Sequence, residues 1–103
     1  MLAEALVCLA LNVYYEARSQ SIVEQIAVAQ VVINRVNDDR YPDTICEVVK
    51  QGEKNPDGTM KENRCQFSWY CDGATDKPHN KKSWEIALSV ARSVRDGKTT
   101  DLT

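Results

Sequence analysis

Residues 21–36 have the sequence SIVEQIAVAQVVINRV, which predicts one long helix with a clear beginning and end. Ser21 and Glu24 form a capping-box pattern, which is typical of a first helical turn. Apolar residues then cover most of the helical circumference as far as Val36, and the polar run 37–40 ends the pattern. We therefore predict that this helix is the central, buried helix of the protein.

Three further helical segments surround this one in the sequence. The first is predicted over residues 3–17, the third follows the capping-box pair Thr44 and Glu47 and stops at Gly52, and the fourth runs from residue 80 or 81 to residue 96. Between the third and fourth lie roughly 28 residues without helical periodicity, far more than a usual connection. They contain a turn signal at residues 55–58 and an aromatic segment at residues 65–73 where we expect a short strand or hairpin.

The four helical segments predict a mainly α fold, with β structure only in the short hairpin, and the length of the chain predicts a compact single domain. The chain has 103 residues, of which 43% are hydrophobic and 27% charged, as expected for one globular domain with a modest core. The formal net charge of −2 does not favour a nucleic-acid partner. No stretch is long enough to span a membrane, and the apolar residues 6–13 lack the positive region of a signal peptide. We expect a monomer without membrane insertion.

Four cysteines allow three full pairings, and the sequence does not choose among them. Cys8 has the helical spacing of a buried residue and is interpreted as a free thiol. Cys46, Cys65 and Cys71 lie in or beside loops, where a disulfide would form in an oxidising compartment. With His79 these residues include zinc-ligand types, but their spacing matches no usual zinc pattern, so we expect no metal and no cofactor.

One carboxyl group, that of Glu16, shares a helical face with apolar residues. Counting back by three and by seven gives Val13 and Leu9, which should point inward. Such a carboxyl is costly to ionise, so we expect its pKa to be raised, as a general acid requires. The alternative interpretation is an ordinary helix-end ion pair of Glu16 with Arg18 or Arg35.

The aromatic segment suits the wall of a sugar-binding groove. Aromatic rings stack on the apolar face of a pyranose, while amides and hydroxyls bond its hydroxyl and N-acetyl groups. The candidate substrate-binding residues are Tyr15, Gln66, Phe67, Ser68 and Trp69. The alternative is that Phe67 and Trp69 cap the core under the long loop, and for Phe67 we favour that packing role. For Gln66 and Ser68 we favour sugar binding.

Four segments, in this order, resemble the SleB/CwlJ-type cell-wall hydrolases, which include spore-cortex-lytic enzymes and related phage lysins. They are YEAR at residues 15–18, QIAVAQVVINRV at 25–36, YPDTICEVV at 41–49 and QFSW at 66–69. The resemblance implies a lysozyme-like, lytic-transglycosylase-like domain over residues 1–103, with Glu16 as the catalytic acid acting on peptidoglycan glycan strands. Ser19 and Gln20 depart from the Gly-Glu of the family motif, and we expect the family's C-terminal closing segment to be lacking.

The number of available carboxylates bears on the reaction. Hydrolysis of a glycosidic bond normally uses two, and only Asp43 and Asp72 are candidate partners for Glu16, by elimination. A lytic transglycosylase needs one acid, which protonates the oxygen between N-acetylmuramic acid and N-acetylglucosamine and then takes the proton of the C6 hydroxyl. We therefore expect 1,6-anhydro products from a phage lysin or exported enzyme acting on the bacterial cell wall. The alternatives are a hydrolytic muramidase or glucosaminidase and a non-catalytic peptidoglycan-binding module.

Overall fold

The computed structural model describes residues 3–73 and 77–99, and in these ranges it contains four α-helices, one two-stranded hairpin and one 3-10 helix. The predicted mainly helical class with a short hairpin is confirmed. The helices are α1 (Glu4–Ala17), α2 (Ile22–Val36), α3 (Ile45–Val49) and α4 (Lys81–Arg95), the strands are β1 (Gly52–Lys54) and β2 (Met60–Cys65), and the 3-10 helix is Ser68–Cys71.

The central helix is α1, and the prediction that α2 is central was wrong. Eight residues of α1 are buried but only three of α2, and α1 packs against α2, α3 and α4. On α2, Ile22 and Val23 are 50% and 61% exposed. An apolar pattern measures how much surface a helix could bury, but the position of the helix depends on the surfaces that its neighbours offer.

The helix ends follow local sequence signals. The hydroxyls of Ser21 and Thr44 each accept a hydrogen bond, at 3.2 Å, from the backbone N–H three residues further on, as the capping boxes predict. Helix α4 is closed by Gly97, whose φ of 72° permits the left-handed turn that follows a helix. Helix α3 ends at Val49, before the predicted stop at Gly52.

Gly52 belongs to the hairpin instead of ending a helix. It pairs with Cys65, and a Cβ atom at this position would lie 2.9 Å from the Cys65 Cα, so only glycine permits this approach. The predicted turn at residues 55–58 joins the strands, with Gly58 at a φ of 90°. We expected a strand within residues 65–73, but the strand β2 ends at Cys65. Residues 68–71 form the 3-10 helix instead.

Two disulfide bonds cross-link these elements. Cys8–Cys46 joins α1 to α3, and Cys65–Cys71 joins the end of β2 to the 3-10 helix. The disulfide expected among the three loop cysteines is confirmed, but the interpretation of Cys8 as a free thiol was wrong. Its partner lies 38 residues away, a contact that helical spacing does not reveal. Within residues 3–73 and 77–99 no group of side chains could hold a metal ion, and no helix could cross a membrane.

Candidate active site

Glu16 lies in the last turn of α1, where the buried face of the helix reaches the surface. Val13 and Leu9, on the same face, are fully buried, as predicted. The side chain of Glu16 itself is exposed. The carboxyl is therefore accessible to a large substrate while its helix is fixed in the core.

Desolvation by neighbouring protein atoms raises the pKa of Glu16, as the sequence predicted. The alternative ion pair is not formed. Arg18 donates from Nη1 to the Tyr14 hydroxyl at 2.7 Å, and Arg35 lies over two aromatic rings. In the described part of the chain, no ion pair or hydrogen bond stabilises the ionised carboxylate of Glu16.

The aromatic segment packs against the end of α1. The ring of Trp69 stacks on that of Tyr15, with centroids 5.1 Å apart and planes inclined by 19°. The indole N–H of Trp69 donates at 2.8 Å to the side-chain oxygen of Asn12, which is fully buried on α1. Because Tyr15 immediately precedes Glu16, these contacts bring the segment next to the candidate acid.

The predicted sugar-binding residues differ in their exposure. Gln66 and Ser68 are exposed, and Tyr15 and Phe67 are half-buried. Trp69 is only 7% exposed, so most of its ring is covered by protein. Of these five residues, Gln66 and Ser68 therefore contribute most to the exposed surface, and Tyr15 and Phe67 contribute parts of their rings.

Tyr14 is an anchor that the sequence did not reveal. It is 1% exposed, and its hydroxyl oxygen accepts hydrogen bonds from Arg18 Nη1 at 2.7 Å and from the backbone N–H groups of His79 and Asn80, each at 3.1 Å. These donors, above all the N–H of Asn80, lower the pKa of Tyr14. The phenol thereby ties the end of α1 to the start of α4.

The spacing of Tyr14 and Arg18, four residues apart, was the one local signal for this anchor. The contacts with residues 79 and 80 span most of the chain and have no counterpart in any local pattern. The same holds for Asn12, whose partner Trp69 is 57 positions away.

Comparison with known families identifies the family of the chain but does not include Glu16. The model of a family described as Cell Wall Hydrolase matches residues 19–103, which include the aromatic segment and begin just after α1, so that Glu16 lies outside the match. Searches among curated proteins and among solved structures found no match. The family match covers well over half of the sequence and includes three of the four resembling segments, those at residues 25–36, 41–49 and 66–69, whereas the segment at residues 15–18 lies outside it. The chain therefore belongs to the cell wall hydrolase family, and its reaction is the cleavage of peptidoglycan.

Proposed function

We propose that this protein is a lytic transglycosylase that cleaves glycan strands between N-acetylmuramic acid and N-acetylglucosamine, with Glu16 as the acid and then the base. The observation that carries the proposal is the Glu16 carboxyl, which is accessible, has a raised pKa and forms no ion pair with the residues of the described ranges. A raised pKa keeps more of the group protonated near neutral pH, as proton donation requires.

The proposed cycle uses Glu16 twice. The protonated carboxyl gives its proton to the glycosidic oxygen, and the bond from that oxygen to C1 of the muramic acid residue breaks. The carboxylate then removes the proton of the C6 hydroxyl, whose oxygen bonds to C1 and closes a 1,6-anhydro ring. The carboxyl is protonated again at the end, and no water molecule is consumed.

The surroundings of Glu16 favour this one-carboxyl route. Direct hydrolysis normally uses a second carboxyl group, close to the first for retention of configuration or further away for inversion. Asp43 and Asp72 are both exposed, and neither contributes to the pKa shift of Glu16, which comes from desolvation. Transglycosylation requires no such partner.

The glycan strand is proposed to lie along the surface beside Glu16. Gln66 and Ser68, exposed in the disulfide-closed segment, would bond its hydroxyl and N-acetyl groups. Tyr15, held by the ring of Trp69, would present an aromatic edge to a sugar ring.

The two disulfides bear on where the enzyme works. Disulfide bonds persist in oxidising compartments and are rare in the reducing cytoplasm. We infer that the protein acts outside the cytoplasm on the cell wall, as an exported enzyme or a phage lysin.

Product analysis tests the reaction type. Purified sacculi are incubated with the protein, and the released muropeptides are analysed by mass spectrometry. We expect 1,6-anhydro ends. Reducing ends without anhydro products would show a hydrolase, and unchanged sacculi would show a binding module.

The variant Glu16→Gln tests the assignment of the acid. An amide cannot donate the proton, so we expect a loss of about 10²–10⁴-fold in the rate of anhydro-product release. Glu85→Gln, the same change at an exposed position on α4, should keep the wild-type rate. A folded Glu16→Gln protein that still solubilises sacculi at the wild-type rate would refute the assignment.

A further inference from the structure

Arg35, on α2, has a guanidinium group held between two aromatic rings. Its Cζ lies 5.2 Å from the ring centroid of Tyr41 and 5.4 Å from that of Phe67. Within residues 3–73 and 77–99 it forms no ion pair or hydrogen bond, and its Nη1 is a buried donor without a partner. Arginine carries five N–H donors, and arginines that leave solvent are normally paired. The rings thus hold a cation that is not paired with any group of the described residues.

An open pocket of about 240 Å³ adjoins this cation. It is lined by Val31, Asn34, Arg35, Asp38, Arg40 and Tyr41. The other two charged residues neutralise each other, because Arg40 Nη2 lies 2.7 Å from the carboxylate of Asp38 and holds the pKa of that carboxyl at about 2. Arg35 therefore leaves the pocket with one unbalanced positive charge, which fits an anionic ligand.

Phe67 connects this pocket with the proposed active site. Its ring contacts Arg35, and two residues further on Trp69 stacks on Tyr15 beside Glu16. A glycan strand lying along the proposed surface would therefore pass close to the pocket. This step rests on the proposed function, which places the strand beside Glu16.

We propose that Arg35 binds a carboxylate of the peptidoglycan strand, so that the enzyme recognises an acidic substituent of the muramic acid residue in addition to the sugar chain. A planar guanidinium pairs with a carboxylate through two parallel hydrogen bonds. The strand offers carboxylates from the stem peptide and, where the peptide has been removed, from the lactyl group. With a net charge of −2 the protein has no general attraction for an anionic polymer, so a local site is needed to hold one.

Binding to chemically modified strands tests this proposal. Soluble, uncross-linked glycan strands are prepared with stem peptides and, after amidase treatment, without them. Half of each sample is converted to neutral amides with carbodiimide and methylamine. Affinity is measured with the Glu16→Gln protein, to which we expect native strands to bind about tenfold more tightly than amidated ones, as for a hydrogen bond to a charged group. The strand type that shows this ratio identifies the stem peptide or the lactyl group as the source, and equal affinity for native and amidated strands of both types overturns the proposal.

Substitution of Arg35 in the same background assigns the effect to this residue. Arg35→Gln should bind native and amidated strands equally, whereas Arg35→Lys, which keeps the charge but loses the planar fork, should keep part of the preference. Arg92→Gln, an equal change of charge at an exposed position on α4, should keep all of it. Each protein is compared on two substrates, so the ratio does not depend on the folded fraction. A full preference in Arg35→Gln refutes the proposal.

Failure of the proposed function gives a different result. If the Glu16→Gln protein still cleaves the strands, the assignment of the acid is wrong, and cleavage is seen directly in the products. The preference for native strands is then measured as a ratio of kcat/KM values, which Arg35→Gln should again abolish.

Discussion

The ionised form of Glu16 is disfavoured because protein atoms exclude part of the water around its carboxyl and no cation of the described residues compensates for that loss. Its pKa is therefore higher in the folded than in the unfolded state. The contribution of such a group to the free energy of unfolding is fully present at pH values below its pKa in the unfolded state. It is lost as the pH rises through its pKa in the folded state. The raised pKa, which supports the proposed role of Glu16 as an acid, thus lowers the stability of the fold near neutral pH.

The raised pKa of Glu16 predicts how the stability of the Glu16→Gln variant, relative to the wild type, depends on pH. At pH 3 the carboxyl is protonated in both states, so the variant should have the melting temperature of the wild type. At pH 7 the neutral amide avoids the cost of the desolvated charge, and the variant should melt at a slightly higher temperature. Differential scanning calorimetry at the two pH values checks this.

Glu85→Gln serves as the control, because it makes the same chemical change at an exposed position on α4. A Glu16→Gln protein that melts below the wild type at pH 7, but not at pH 3, would show that the folded protein stabilises the carboxylate. That result would contradict the raised pKa of Glu16.

At the scale of the elements, interactions differ in how far they reach along the chain. Helix ends at Ser21 and Thr44 depend on groups three residues apart, so the sequence predicted them. The central position of α1 depends on three other helices, and no single-helix pattern contains that information. The candidate site divides in the same way. The raised pKa of Glu16 was predicted from its own helical face, whereas the positions of Trp69 and Arg35 require the assembled fold.

Tyr14 links two elements through its hydroxyl, and Tyr14→Phe removes only that oxygen. Arg18 and the N–H groups at the start of α4 then lose their acceptor, so we expect a loss of about 1–3 kcal/mol in the free energy of unfolding. The loss should lie toward the lower value, since His79 and Asn80 are exposed and water can reach their backbone. Urea denaturation measures it.

Tyr70→Phe is the matched control for this prediction. The hydroxyl of Tyr70, half-buried beside Trp69, forms no hydrogen bond with the described residues, so its removal should change the stability by less than about 0.5 kcal/mol. Equal losses in the two variants would mean that the Tyr14 hydrogen bonds do not hold α4 to α1.

At the scale of the whole molecule, each disulfide belongs to a different part of the protein. Cys8–Cys46 joins two helices of the scaffold, whereas Cys65–Cys71 encloses the segment that packs beside Glu16. Each cross-link lowers the entropy of the unfolded chain and thereby stabilises the part of the fold that it joins. The scaffold and the segment proposed to bind substrate are thus stabilised by separate covalent bonds.

This division predicts that removing Cys8–Cys46 costs more stability, whereas removing Cys65–Cys71 costs more activity. Loop-closure entropy for cysteines 38 and 6 residues apart gives losses of about 4 kcal/mol for the pair Cys8→Ala with Cys46→Ala and about 2 kcal/mol for Cys65→Ala with Cys71→Ala. At a temperature where both variants are folded, the second should release fewer anhydro muropeptides per folded molecule, because its segment no longer holds Trp69 against Tyr15. Urea denaturation and initial rates on sacculi measure the two effects. If the variant without Cys8–Cys46 loses more activity per folded molecule than the variant without Cys65–Cys71, the two disulfides do not have these separate roles.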